Sequence, residues 1–188
     1  MKSVDIRRVL IVGAGTMGYS LALNFAKGGY DVSLVDNDSQ ILLKAEKLIG
    51  SAFETLKQAG LITDAEISQA LPRITTSTNL VEAAREADLV IEAVTENSSI
   101  KKDIFHLLDT NCPKHTILTS NTSYLNIFEI AETSRPDKVL IAHWFAPPHI
   151  IPLVEIVRGD KTSSETVEIV KEVLEKLGKK RSRIYWQN

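Results

Sequence analysis

Residues 8–36 read RVLIVGAGTMGYSLALNFAKGGYDVSLVD, and this stretch decides the fold. Arg8–Val12 is apolar on consecutive residues after its first, the pattern of a parallel strand covered on both faces. Gly13-Ala14-Gly15-Thr16-Met17-Gly18 follows with the spacing G-x-G-x-x-G. A helical stretch over residues 17–27 comes next, and a second apolar strand, Asp31–Val35, ends in Asp36. Each part has its own task. One glycine allows a tight turn, one lets a pyrophosphate come close, and one lets helix and strand pack. The helix N-terminus offers free N–H groups and partial positive charge to the phosphates. Asp36 can accept hydrogen bonds from both ribose hydroxyls and would repel a 2′-phosphate. Asn37 and Asp38 follow it and no arginine is near, so NAD is expected over NADP. The competing reading, a structural turn followed by an aspartate that caps a helix at Ser39, leaves the strand–turn–helix–strand context unexplained. Gly13, Gly15, Thr16, Met17, Gly18 and Asp36 are therefore the expected cofactor contacts.

Outward from this unit, strand and helix patterns alternate almost to the end of the chain. Further strands are expected at residues 89–94, 116–119, 139–143 and 153–157. Helices are expected at Ser39–Gln58 and at residues 64–71, 80–86, 100–109, 127–132 and 164–177. The alternation predicts an α/β fold, a doubly wound and mostly parallel sheet of Rossmann type with right-handed crossovers, forming one domain over residues 1–188. Two features depart from the minimal pattern. A helical hairpin, residues 39–71 with its bend at Gly60, is inserted after the second strand. Pro147, Pro148 and Pro152 precede the strand at 153–157, which predicts a tight return and a strand of opposite direction. Residues 183–188 read as a last strand.

Composition excludes several classes. The 188 residues are 44% hydrophobic and 24% charged, with net charge −2, an ordinary globular balance with no basic block for nucleic acid or anionic lipid. The apolar run at residues 9–12 is too short for a signal peptide, and nothing approaches the roughly 18 apolar residues of a membrane span. Cys112 is the only cysteine, so no internal disulfide forms and a reducing compartment fits. The chain reads as cytoplasmic, or as a matrix protein without its targeting peptide. No His/Cys spacing implies a metal.

The second half gathers polar groups at the carboxyl ends of strands, where open α/β sheets bind ligands. Ile91-Glu92-Ala93-Val94-Thr95-Glu96-Asn97 ends one strand, Ser120-Asn121-Thr122-Ser123 the next, and His143 the one after; Leu153-Val154-Glu155-Ile156 follows. With the glycine turn and the helical hairpin, the motifs IEAVTEN, SNTS and HWFAPPHIIPLVEIV resemble the 3-hydroxyacyl-CoA dehydrogenase family over essentially the whole chain. The resemblance implies NAD-dependent oxidation of an L-3-hydroxyacyl-CoA, as in fatty-acid β-oxidation or butanoate-type metabolism. It makes His143 the general base, Glu155 its carboxylate partner and Ser123 the hydrogen-bond partner of the reacting oxygen. It places Glu96, Lys101 and Asn121 at the cofactor, and Lys101 and Ser123 at the substrate. Histidine suits a base working near neutral pH. The plainer readings are that His143 is structural, that Glu155 is a solvated edge charge, and that Ser123 caps a helix near Leu125. His106 and His115 read as surface residues, and His149 is the reserve base.

The resemblance has departures. Ala146 stands where the family carries asparagine, and Ala52 and Ala59 align with positions that contact CoA in relatives, with Lys57 or Lys44 as substitutes. The segment Pro147–Pro152 also looks like relatives that act on sugar acids or carnitine. The family's helical second domain, with its Pro-Gly-Phe segment, its catalytic asparagine and its dimer contacts, is absent from this chain, which is expected to bind NAD yet turn over poorly. An apolar patch is expected near the proline loop and Tyr185-Trp186. The alternatives are a dehydrogenase of a free hydroxy acid and, in another class, a non-catalytic NAD-binding module.

Overall fold

A computed structural model describes residues 2–185. The strands are β1 (Arg8–Val12), β2 (Asp31–Val35), β3 (Ile74–Ser77), β4 (Leu89–Glu92), β5 (Ile117–Ser120), β6 (Val139–Trp144), β7 (Leu153–Arg158) and β8 (Lys180–Tyr185). They form one sheet in the order β3-β2-β1-β4-β5-β6-β7-β8. All neighbours are parallel except β6 and β7, which run antiparallel. The helices are α1 (Gly18–Lys27), α2 (Ser39–Gln58), α3 (Asp64–Ala70), α4 (Leu80–Ala84), α5 (Ser98–Asn111), α6 (Ile127–Ile130) and α7 (Ser164–Lys176).

The consecutive apolar residues of β1 are explained by two cores, one on each face of the sheet. Val9 and Ile11 join the core under α1, α2 and α7, whereas Leu10 and Val12 join the core under α5 and α6. A strand buried on both sides has no polar alternation to show. The chain order reverses between β1 and β4, and this is the switch point where open sheets leave a crevice for a ligand.

The helical hairpin forms as expected. Gly60 turns the chain with φ +70°, and Thr63 and Glu66 cap α3 reciprocally, a sequence signature of a helix start. The ion pair of Lys57 with Asp64, at 2.6 Å, ties the two helices together. The return at the proline loop also reverses the chain as expected.

Most elements differ from expectation by a residue or two at their ends, and four differences go further or have a local cause. The edge strand β3 was not foreseen, because its Ile-Thr-Thr-Ser run is mostly polar; Thr75 is exposed and its neighbours are only half-buried. The fourth strand ends at Glu92 and not at Val94, since the Glu92 carboxylate takes the Val94 N–H for itself at 2.8 Å. Helix α5 begins two residues early, at Ser98, because Asn97 caps it through the N–H groups of Ser99 and Ile100. The last strand begins at Lys180, earlier than expected. Its expected continuation to Asn188, and with it Trp186, lies outside the described residues. Among the described residues, no helix is long and apolar enough to cross a membrane.

Candidate active site

The glycine turn lies at the switch point, and its three glycines differ in what surrounds them. Gly13 has φ +100°, and a Cβ there would come within 2.6 Å of the Ala93 carbonyl oxygen. Gly18 allows α1 to start against the turn, since a Cβ would sit 1.8 Å from the Gly13 carbonyl oxygen. Gly15 has nothing within 4 Å of a would-be Cβ; its missing side chain leaves space outside the protein. Gly15 and Thr16 are exposed, while Met17 is half-buried and packs on the core. An open backbone at a helix N-terminus is what a phosphate requires.

Asp36 closes this end of the crevice. One carboxylate oxygen accepts the Ala14 N–H at 2.8 Å, and the other accepts the Asp38 N–H at 3.1 Å. The cap of α2 is Asp38, through the Gln40 N–H at 2.8 Å, so Asp36 is not the helix cap. Each of its oxygens keeps a lone pair for a further donor. The cradle and the carboxylate together fit the pyrophosphate and ribose of NAD.

At the other end of the crevice the antiparallel register sets His143 directly opposite Glu155. Their side chains meet: His143 Nδ1 lies 2.9 Å from Glu155 Oε2. They are 20% and 27% exposed, enough enclosure to strengthen the bond while leaving the ring reachable. The other ring nitrogen, Nε2, lies 3.1 Å from Ser123 Oγ. Ser123 is free for this contact because Thr122 Oγ1 accepts the Leu125 N–H and Asn126 caps α6. The Phe145 ring sits 4.7 Å from the imidazole, centre to centre.

Glu96 joins this group to the start of α5. Its carboxylate accepts the Ser123 N–H at 2.6 Å and the Thr122 hydroxyl at 2.9 Å. Asn121 Oδ1 accepts the Trp144 N–H at 2.8 Å, pinning the end of β6. Lys101 differs from expectation: its side chain is 1% exposed and its ammonium lies 2.7 Å from Glu92 and 3.4 Å from Glu96. It is enclosed by carboxylates and not presented to the cleft. Glu92, 0% exposed, also accepts the Ser120 hydroxyl at 2.6 Å. Sequence reasoning quoted Glu92 and Ser120 in their motifs but gave them no part. The available signal was an acid inside an otherwise apolar strand, which needs a partner.

The reserve base, His149, is held elsewhere. Its Nδ1 lies 2.6 Å from Ser20 Oγ on α1, and burial, with Lys179 and Lys27 adding, lowers its pKa. His106 and His115 are exposed, His115 beside Asp88. Cys112 is buried, which pushes its thiol up to about 11. Among the described residues no group of His, Cys, Asp or Glu could hold a metal ion. Ala52 is buried in the core against α2's neighbours and Ala59 is exposed, Lys57 is engaged by Asp64, and Lys44 is exposed.

Comparison with known proteins matches residues 8–184 to the family described as 3-hydroxyacyl-CoA dehydrogenase, NAD binding domain. The chain is 38% identical over 177 residues to a probable 3-hydroxybutyryl-CoA dehydrogenase of Bacillus subtilis, covering 94% of this chain and 61% of that protein. It is 34% identical to the 5-formyl-3-hydroxy-2-methylpyridine 4-carboxylate 5-dehydrogenase of Mesorhizobium japonicum, covering 92% of this chain and 55% of that one. Among solved structures, (S)-3-hydroxybutyryl-CoA dehydrogenase from Ralstonia eutropha superposes with a TM-score of 0.92 at 36% identity, over 97% of this chain and 64% of that chain. The chain thus spans about three fifths or less of the length of the curated relatives it matches.

Proposed function

Since the chain belongs to the 3-hydroxyacyl-CoA dehydrogenase family, as its NAD-binding domain, we propose that its site serves the NAD-dependent oxidation of an L-3-hydroxyacyl-CoA to the 3-oxoacyl-CoA. The observation that carries this reading is the imidazole of His143 held between Glu155 and Ser123, at 2.9 and 3.1 Å. A carboxylate acceptor at Nδ1 keeps a proton on that nitrogen and leaves the Nε2 lone pair for another proton. His143 Nε2 then takes the proton of the 3-hydroxyl, and Glu155 stabilises the imidazolium that results. Ser123 Oγ turns from Nε2 to donate to the reacting oxygen. Bound NAD supplies the acceptor for the hydride that leaves C3 as the C–O bond becomes C=O. Gly13, Gly15, Thr16, Met17 and Gly18 would hold the pyrophosphate, Asp36 would hold the adenine ribose, and Glu96 and Asn121 would shape the nicotinamide end. Lys101 reaches that end through Glu96. Residues 1–188 are read as one NAD-binding domain, and a form that carries a helical second domain is read as a homodimer.

One observation keeps a second reading open. Ala52 is buried and Ala59 offers only a methyl group, so neither position that contacts CoA in relatives can bind phosphate or ribose here. A free hydroxy acid is the corresponding substrate, and the Mesorhizobium relative is named for a pyridine carboxylate. The test is NADH oxidation with acetoacetyl-CoA, on this chain and on any longer native form. Turnover supports the first reading. Activity confined to a free hydroxy or oxo acid supports the second, and NADH binding without turnover of either substrate defeats both.

A further inference from the structure

The sheet carries a fully buried ion pair that the proton transfer does not use. Glu92, on β4, receives three donors: the Lys101 ammonium at 2.7 Å, the Ser120 hydroxyl at 2.6 Å and the Val94 N–H at 2.8 Å. A carboxylate and an ammonium at 0% and 1% exposure lose the water that would otherwise solvate them, so each depends on the other. Lys101 has one more neighbour of opposite charge, Glu96, at 3.4 Å. Glu96 in turn accepts the Ser123 N–H, and the Ser123 hydroxyl meets His143. The contacts run without a gap from Glu92 to the imidazole.

We infer that Glu92 is a positioning residue: by holding Lys101 back, it leaves Glu96 free to fix the Ser120–Ser123 turn and so set Ser123 against His143. Two charges compete for the Lys101 ammonium. While Glu92 is present, the closer pair is with Glu92, and the Glu96 oxygens keep their bonds to Ser123 and Thr122. Without that carboxylate, the buried ammonium has only Glu96 to neutralise it and draws Glu96 off the turn. The catalytic part of this inference rests on the roles given above to His143 and Ser123; the positioning part does not.

Native-state hydrogen exchange of the Ser123 amide in the 188-residue chain separates the two. Glu92→Gln should lower the protection of that amide by roughly tenfold or more, the worth of a hydrogen bond to a charged acceptor, beyond any loss shared by core amides such as Ile11 and Leu118. The double variant Glu92→Gln/Lys101→Met removes the stray ammonium as well and should restore Ser123 protection. A purely structural Glu92 would lower Ser123 and the core amides together, with no rescue in the double variant, and that result overturns the inference. If Glu92→Gln does not fold, Glu92→Asp, which keeps the charge but draws the carboxylate back from the Lys101 ammonium, must show the same selective loss at smaller size; an unchanged Ser123 amide there also overturns it. In any form that turns over, kcat should fall in Glu92→Gln more than the KM for the acyl substrate rises. Selective exchange loss in a protein without dehydrogenase activity would leave the positioning role standing and remove the proposed reaction.

Discussion

Replacing Glu155 with Gln keeps the shape of the side chain and removes only its charge, so it isolates what the carboxylate does for His143. The bond to Nδ1 is 2.9 Å long and joins side chains that are 20% and 27% exposed, so solvent screens it only in part. A hydrogen bond to a charged group contributes about 1.5–3 kcal/mol, and here the full value is realised only when the imidazole becomes positive as it takes the substrate proton. Because the gain comes in the transition state, it should appear in kcat, as a loss of roughly 10- to 150-fold. His143→Gln removes the proposed base and should cost roughly 10²–10⁴-fold. Glu155 acts only through His143, so the double variant should be no slower than His143→Gln alone. The assay is steady-state NADH oxidation in whichever form turns over, with NADH affinity measured by calorimetry and expected to stay nearly constant. If Glu155→Gln kept almost full kcat, or if its loss multiplied with that of His143→Gln, the carboxylate would not be serving the imidazole and the reasoning would fail.

Four further variants test the geometry. Asp36→Ala should narrow the preference for NAD over NADP, since two charges about 4 Å apart near a surface repel by about 1–4 kcal/mol; equal calorimetric affinities in the unmutated chain would refute the role of Asp36. Gly15→Ala should fold normally, because its Cβ meets nothing within 4 Å, yet lose NAD affinity by roughly tenfold or more as the methyl enters the phosphate space. Gly18→Ala, 1.8 Å from the Gly13 carbonyl, should lose stability as well as binding, and a Gly15→Ala chain that binds NAD normally would move the phosphates elsewhere. Lys179 donates to the carbonyls of Pro148 and Ile151 from a buried position, and burial, with Lys27 adding, lowers its pKa from 10.5 to about 8. Between those values the unfolded chain binds a proton that the folded chain has released, so this group makes stability rise with pH across that window. Urea midpoints of the native chain and Lys179→Met, compared from about pH 7.5 to 10, should show the native chain gaining on the variant; a constant gap refutes the buried charge.

Much of the fold was legible because it rests on local rules. Consecutive apolar residues in β1 can only mean burial on both faces, and the glycine spacing with Asp36 at the second strand's end describes a phosphate turn before any coordinate is known. The proline-rich return before β7 was equally readable. Strand β3 was not, since a half-exposed edge strand with a single apolar residue, Ile74, carries too little apolar signal and is held by its ladder to β2. The cap of α2 shows the limit of local reading: Asp36 and Asp38 are equally plausible caps by type, and only the backbone path assigns the task to Asp38.

The sequence by itself determined the α/β class, the glycine turn and the placement of polar groups at the carboxyl ends of strands, because periodicity and turn chemistry act between near neighbours in the chain. Only the tertiary structure decided which of those groups touch. The antiparallel register of β6 and β7 puts Glu155 across from His143; a slip of one residue would turn the carboxylate to the other face of the sheet. The same holds for Lys101, which by the family resemblance belongs to the cleft and by packing belongs to Glu92. A buried charge goes to the nearest opposite charge inside the core, and where that charge lies is fixed by how β4, β5 and α5 come together.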